Sequence, residues 1–172
     1  MWRARLLLAL ALALLLPVAT SAQVKWINYV NPTSGEDYGY GTCLFGDYLA
    51  VVGSANGSPF LALLDKESGE VAEAWSSGSG LFSSCTAAGG RLYAVGFAEE
   101  GGAHYQIYVF DRNLSLVERA RAPSAAFNDV AYLGGYLYIG GYRWESAGGQ
   151  RKQVWYVEKR APDLSLVASR EV

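Results

Sequence analysis

One pattern limits this chain more than any other. GDYLAVVGS (Gly46–Ser54), GGRLYAVGF (Gly89–Phe97) and GGYLYIGGYRW (Gly134–Trp144) are versions of a single phrase, with Leu49, Leu92 and Leu137 in register at steps of 43 and 45 residues. A chain that repeats at such a period builds one supersecondary unit several times and stacks the copies. Four short apolar runs recur in each copy. The first is YGTCLF from Tyr40, FSSCTA from Phe82 or FNDVAY from Phe127. A glycine turn at Gly46, Gly89–Gly90 or Gly134–Gly135 leads into the second, because glycine accepts the positive φ of a tight hairpin. A polar loop then precedes FLALLD from Phe60, QIYVFD from Gln106 or QVWYVE from Gln153, and a turn leads to a fourth run around Val71, Val117 or Val167.

These runs are rich in Val, Leu and Tyr, are bounded by turn residues and show no helical spacing beyond the first residues of the chain, so the expected class is all-β. Four strands in such a period is the size of one propeller blade, whereas the other repeats of similar length are helical. GGYLYIGG followed by a polar loop and VWYV resembles a kelch repeat, whose second strand ends in a glycine pair. LLDKESGEVAEAW, Leu63–Trp75, is instead similar to the pyrroloquinoline-quinone type of propeller repeat, with Asp, Gly and Trp in that order. The resemblance covers Tyr40–Val172 and implies β-propeller-type blades of four antiparallel strands at about 40–80, 81–125 and 126–172. A two-layer β-sandwich is the competing arrangement.

Propellers close with about 4 to 8 blades, so three blades make an incomplete ring. An open arc leaves an apolar flank at each end, and a protein partner or a second copy of the chain is expected to cover those flanks. The segment VKWINYV (Val24–Val30), within an N-terminal strand and linker at 23–39, reads as a lone outer strand of the kind that completes a last blade. The third copy already has its own outer strand in LSLVASREV, so the chain also reads as a piece of a longer propeller, either quinoprotein-like or carbohydrate-acting, whose active-site blades lie elsewhere.

At the N-terminus, Arg3 and Arg5 precede an apolar run from Leu6 to Leu16, then Pro17 and small residues up to Ala22. This is the pattern of a signal peptide over 1–22, and it points to a secreted, extracellular or cell-surface protein. An uncleaved anchor is the weaker alternative, since a membrane helix needs about 20 apolar residues, and no later run is long enough to span a bilayer. Loss of Arg3 and Arg5 leaves 12 basic against 16 acidic residues, net −4, without the basic stripe that nucleic acid requires.

Individual residues carry little chemistry. Thr42, Ser84 and Asp129 begin the first strands at slots equivalent by repeat, where propellers line the mouth of their channel, and Asp129 with Asn128 is the best ligand-binding candidate. Tyr142 and Trp144 leave the second strand of the third copy and offer stacking surfaces to a glycan, while Trp75 ends the first copy; packing between blades is the plainer role for such aromatics. Cys43 and Cys85 sit in the same slot of consecutive copies, 42 residues apart. They read either as a disulfide tying adjacent blades or as two small buried residues standing in for valine, and the residues alone favour the second.

His104, the single histidine, lies in the loop EEGGAHYQ and reads as a solvated surface residue rather than a member of a catalytic triad. Zinc would need more ligands than the chain offers. Calcium is the one ion its loops admit, through the pairs Glu36 with Asp37 and Glu99 with Glu100, although these lack the alternating spacing of a calcium loop. Asn56-Gly-Ser and Asn113-Leu-Ser are glycosylation sequons in turns. With no nucleophile elbow, paired metal ligands or vicinal cysteines, the expected function is binding rather than catalysis.

Overall fold

The computed structural model describes residues 26–28, 30–122, 125–147 and 150–171. The expected signal segment lies outside them. The described residues hold three four-stranded antiparallel sheets, each in simple chain order, and no helix. Blade 1 is β1 (Asp37–Phe45), β2 (Tyr48–Ala55), β3 (Ser58–Asp65) and β4 (Val71–Ser76). Blade 2 is β5 (Ser79–Ala88), β6 (Arg91–Glu100), β7 (Ala103–Phe110) and β8 (Leu116–Ala120). Blade 3 is β9 (Ala125–Leu133), β10 (Tyr136–Ala147), β11 (Gln150–Arg160) and β12 (Leu166–Glu171). The first strands β1, β5 and β9 lie side by side, so the sheets fan out from one line as propeller blades do, and the ring stays open.

Alternate residues of a strand point to opposite faces, which gives each blade a leading flank toward the preceding blade and a trailing flank toward the next. The seam between blades 1 and 2 packs Ala50, Val52, Leu61 and Leu63 against Phe82, Leu92, Ala94, Tyr108 and Phe110. Half-buried Trp75 packs against its outer edge, with ring centroids 5.8 Å from Phe82 and 4.9 Å from Phe110, so this tryptophan serves blade packing. The next seam packs Tyr93, Val95, Ile107 and Val109 against Phe127, Val130, Leu137, Ile139 and Leu164. Each large side chain taken out of water there contributes about 1.5–3 kcal/mol.

The repeated glycine has a definite cause. In each blade the first strand carries a bulge, and the glycine four residues beyond the repeated leucine lies against it. A Cβ at Gly53, Gly96 or Gly141 would sit 1.8, 2.2 or 2.0 Å from the carbonyl oxygen of Tyr38, Leu81 or Ala126. Gly140, the first of the two adjacent glycines in blade 3, would meet nothing within 4 Å. Only the second glycine of the pair is structurally required, which is why Val95 replaces the first without harm. Gly96→Ala is expected to cost roughly 1–3 kcal/mol through backbone overpacking, while Gly140→Ala stays within about 0.5 kcal/mol of the parent. Urea unfolding of the two variants checks this, and equal losses would contradict it.

Turns between third and fourth strands are held by aspartates. Asp65 Oδ1 accepts the N–H groups of Glu67 and Ser68 at 2.9 and 2.8 Å, and Asp163 Oδ1 accepts the N–H and hydroxyl of Ser165 at 3.0 and 2.6 Å. Backbone N–H donors, Ser68 first, hold the Asp65 carboxyl below its ordinary value, and the Ser165 hydroxyl does so for Asp163. The sign of a depressed carboxyl follows: the stabilisation is present above the ordinary value of 3.8 and is lost as pH falls through the lowered one. Both turns should therefore hold at pH 4 and loosen only in stronger acid. Carboxyl carbon NMR titration reads this directly, and a midpoint at the ordinary value for Asp65 would refute it.

Three expectations change. Cys43 and Cys85 form a disulfide, with Cα atoms 5.8 Å apart. They do not share a slot: Cys43 pairs with Ala50, whereas Cys85 pairs with Ala94, whose counterpart in blade 1 is Val51. The one-residue offset turns Cys43 to its trailing flank and Cys85 to its leading flank, so the thiols meet across the seam; in equal slots both would face the same way around the arc. The third strand of blade 3 is likewise displaced. Leu92 pairs with Phe110 and Leu137 with Arg160, so Glu158 and Arg160 hold the places of Tyr108 and Phe110, and QVWYVE is three positions out of line. The longer β10–β11 hairpin absorbs the extra residues. Finally, Trp26–Asn28 and Val30 are not strand. Trp26 Nε1 donates to the Lys66 carbonyl at 3.0 Å and its ring lies against Gly69, while Val30 and Pro32 share a small cavity with Val51 and Phe60, so this segment covers part of blade 1's leading flank.

Candidate functional site

Beside the common line of first strands, Ser84 Oγ donates to Asp129 Oδ1 at 2.6 Å, and Val130 N donates to the same oxygen at 2.9 Å. Ser84 and Asp129 are true equivalents, paired with Val95 and Gly140. Thr42 is not: Gly41 holds that slot in blade 1, where a Cβ would come within 3.1 Å of Ser84 Cα, and Thr42 is exposed one position along. Asn128 is the bulged residue of β9 and is exposed. Asp129 is therefore engaged in joining two blades.

The acidic pairs are also engaged separately. Asp37 accepts the Thr33 hydroxyl at 2.8 Å, Glu36 accepts the Tyr38 hydroxyl at 3.0 Å, and Glu100 pairs with Arg119. Glu99 lies 3.9 Å from His104, which is exposed and stacks on Phe97. Among the described residues no three potential ligands gather for a metal ion. Asn56 and Asn113 are exposed turn residues.

Between blades 2 and 3 lies a charged network that the sequence reading missed. Arg160 Nε donates to Glu158 Oε2 at 2.5 Å, Tyr156 Oη donates to Glu158 Oε1 at 2.9 Å, and a second Arg160 nitrogen donates to the Leu164 carbonyl at 2.6 Å. Glu158 and Arg160 are only 2% and 8% exposed. Burial pushes the Tyr156 hydroxyl above its ordinary value, which keeps it a donor.

The other missed feature is blade 3's trailing flank. Register places Tyr136, Tyr138, Tyr142 and Trp144 of β10 and Arg151, Trp155, Val157 and Lys159 of β11 on this one face. Tyr142 and Trp144 meet edge-on at 6.1 Å, so the structure does bring these two candidates together. Tyr138 and Val157 occupy the slots that Tyr93 and Ile107 hold in blade 2. Those two are buried under blade 3, with 1% and 0% exposure, whereas Tyr138 and Val157 are 38% and 39% exposed. Trp155, at 75%, is the most exposed aromatic of this face. Alternation along QVWYVE could have revealed the face, had the third run been aligned on the shared LSLV of RNLSLV and PDLSLV.

The fold and this surface define an all-β protein of three four-stranded blades in an incomplete propeller-like array. No protein-family model matches the chain, and no curated protein matches it. Among solved structures it is similar to Kuenenia stuttgartiensis hydrazine synthase, with a TM-score of 0.56 and 13% identity over 78% of this chain. The chain spans 37% of that protein's length, and the likeness is one of fold alone. The computationally designed Ika4 protein aligns over 84% of this chain and 96% of its own at 11% identity, with a TM-score of 0.48.

Proposed function

We propose that the chain is a secreted or cell-surface binding module, built of kelch-like and quinoprotein-like blades, that acts by engaging a protein partner through its open flank. The carrying observation is the exposure of Tyr138 and Val157 in slots that are buried wherever another blade follows. Export accords with the charged and apolar N-terminal pattern and with the Cys43–Cys85 disulfide, which persists in an oxidising compartment. Glycosylation at Asn56 and Asn113 belongs to the same reading. Asp129 and Ser84 then serve as the joint between blades 2 and 3, and no catalytic role is assigned.

Site-specific photo-crosslinking tests it in the secreted chain. A photoreactive amino acid at Trp155 should give one defined protein adduct, and the same group at Asp47, on a β1–β2 turn, should give none. No adduct at Trp155 would overturn the proposal. The alternative, a piece of a propeller enzyme whose catalytic blades lie elsewhere, draws on the same open ring; in-frame blades following Val172 in the gene would favour it.

A further inference from the structure

We infer that blade 3's trailing flank is the docking surface for an acidic protein partner, one presenting carboxylates around an apolar centre. This rests on the binding-module reading and adds the chemistry of what is bound.

The chain is acidic overall, yet this flank is cationic. Arg151 and Lys159 lie on it with Trp155 and Val157, and Arg170, paired with Val157 in register, joins them. Its inner edge carries one carboxylate, Asp129, already held by the Ser84 hydroxyl. On the opposite flank of the same sheet the arginines are matched: Arg143 with Glu145 and Glu171, Arg160 with Glu158. Among the described residues, Arg151, Lys159 and Arg170 make no ion pair. Two of them lie on rings instead, Lys159 Nζ 3.8 Å from the centroid of Tyr136 and Arg151 Cζ 5.0 Å from that of Trp144. Lys159 stands in the slot that Val109 fills in blade 2, where the neighbour is apolar. The unmatched charge on an otherwise blade-like face therefore selects a partner with carboxylates at its rim.

The slot of Tyr138 sharpens the picture. In blade 2 its equivalent, Tyr93, donates its hydroxyl to the Pro162 carbonyl of the next blade at 3.0 Å. A partner seated on blade 3 would supply such an acceptor to Tyr138. A second copy fits poorly. Its leading flank is partly covered by its own Trp26–Asn28 and Val30–Pro32, and two trailing flanks face to face would oppose Arg151, Lys159 and Arg170 with themselves. Glycan is disfavoured because Val157 and Leu133, the latter 71% exposed, offer aliphatic contact where a sugar needs hydrogen bonds.

The experiment is selection from a library of displayed random peptides on the intact, disulfide-bonded chain. The expected consensus has two or more Asp or Glu flanking Leu, Phe or Trp. Affinity should fall at least tenfold from 50 mM to 500 mM salt and at least tenfold in Trp155→Glu, with Val117→Glu on β8 unchanged. The double variant Arg151→Glu/Lys159→Glu should lose the acidic consensus, and unaltered melting curves would show that the variants fold. No enriched peptide, a consensus without carboxylates, or binding indifferent to salt or to Trp155→Glu would overturn the inference. So would tighter binding of polyuronate at this face, or a concentration-dependent dimer abolished by Trp155→Glu. A Trp155 adduct without acidic selection would sink this inference alone; no adduct would sink the binding-module reading with it.

Discussion

Replacing Glu158 with leucine is expected to lower the unfolding free energy by about 3–5 kcal/mol, because it strands the Arg160 guanidinium, 8% exposed, between two blades with no anion beside it. The Tyr156 hydroxyl loses its acceptor in the same step. The intact pair is not thereby a large source of stability, since taking both ions out of water costs several kcal/mol that their attraction offsets only in part. Blade 2 shows an apolar solution to the same problem, with Tyr108 and Phe110 in the corresponding slots. The double variant Glu158→Tyr/Arg160→Phe should therefore recover most of what the single change loses, ending within about 2 kcal/mol of the parent despite the unmet Leu164 carbonyl. Urea unfolding of single and double variants decides. If Glu158→Leu costs less than about 1 kcal/mol, water reaches the pair and its burial is wrong.

The second large effect is loss of the Cys43–Cys85 bond. Closing a loop with a sequence separation of 42 restricts the unfolded chain by about 4 kcal/mol in the chain-entropy account. For a chain of this size that corresponds to a drop in Tm of roughly 10 °C. Cys43→Ser/Cys85→Ser and the reduced parent should melt together, below the oxidised parent. Hydrogen exchange adds a spatial test: loss of protection should be greatest in β1 and β5, which the bond joins, and least in β11 and β12. A reduced protein that melts with the oxidised one would show that the bond adds no stability.

Much of the architecture could be read before any coordinates. The recurrence of Leu49, Leu92 and Leu137, each followed four residues later by glycine, marks four-stranded units because the same bulge demands the same missing Cβ in each. The third-to-fourth-strand turns announce themselves in DKESG, DRNLS and PDLS, where an aspartate caps N–H groups two and more residues on. What was misread shares one cause. Placing Cys43 in the slot of Cys85, Thr42 in that of Ser84, or Val157 in that of Phe110 is an error of one or three positions, and in a strand an odd error moves a side chain to the opposite face. The blade survives such a slip on paper while its chemistry is reversed. The candidate site follows suit: local pattern picks out Tyr142 and Trp144 but not Trp155, Lys159 and Arg151 on the same face.

Local pattern thus settled how many sheets there are, how many strands each contains and where the chain turns, since these depend on neighbours a few residues apart. Which flank each side chain faces, that the two thiols meet, that Glu158 and Arg160 are buried while Trp155 is not, and that the first described residues lie over blade 1 were decided only when separate sheets packed. Those outcomes depend on hydrogen-bond register and on which surfaces find a neighbour, and both are properties of contacts between residues far apart in the chain.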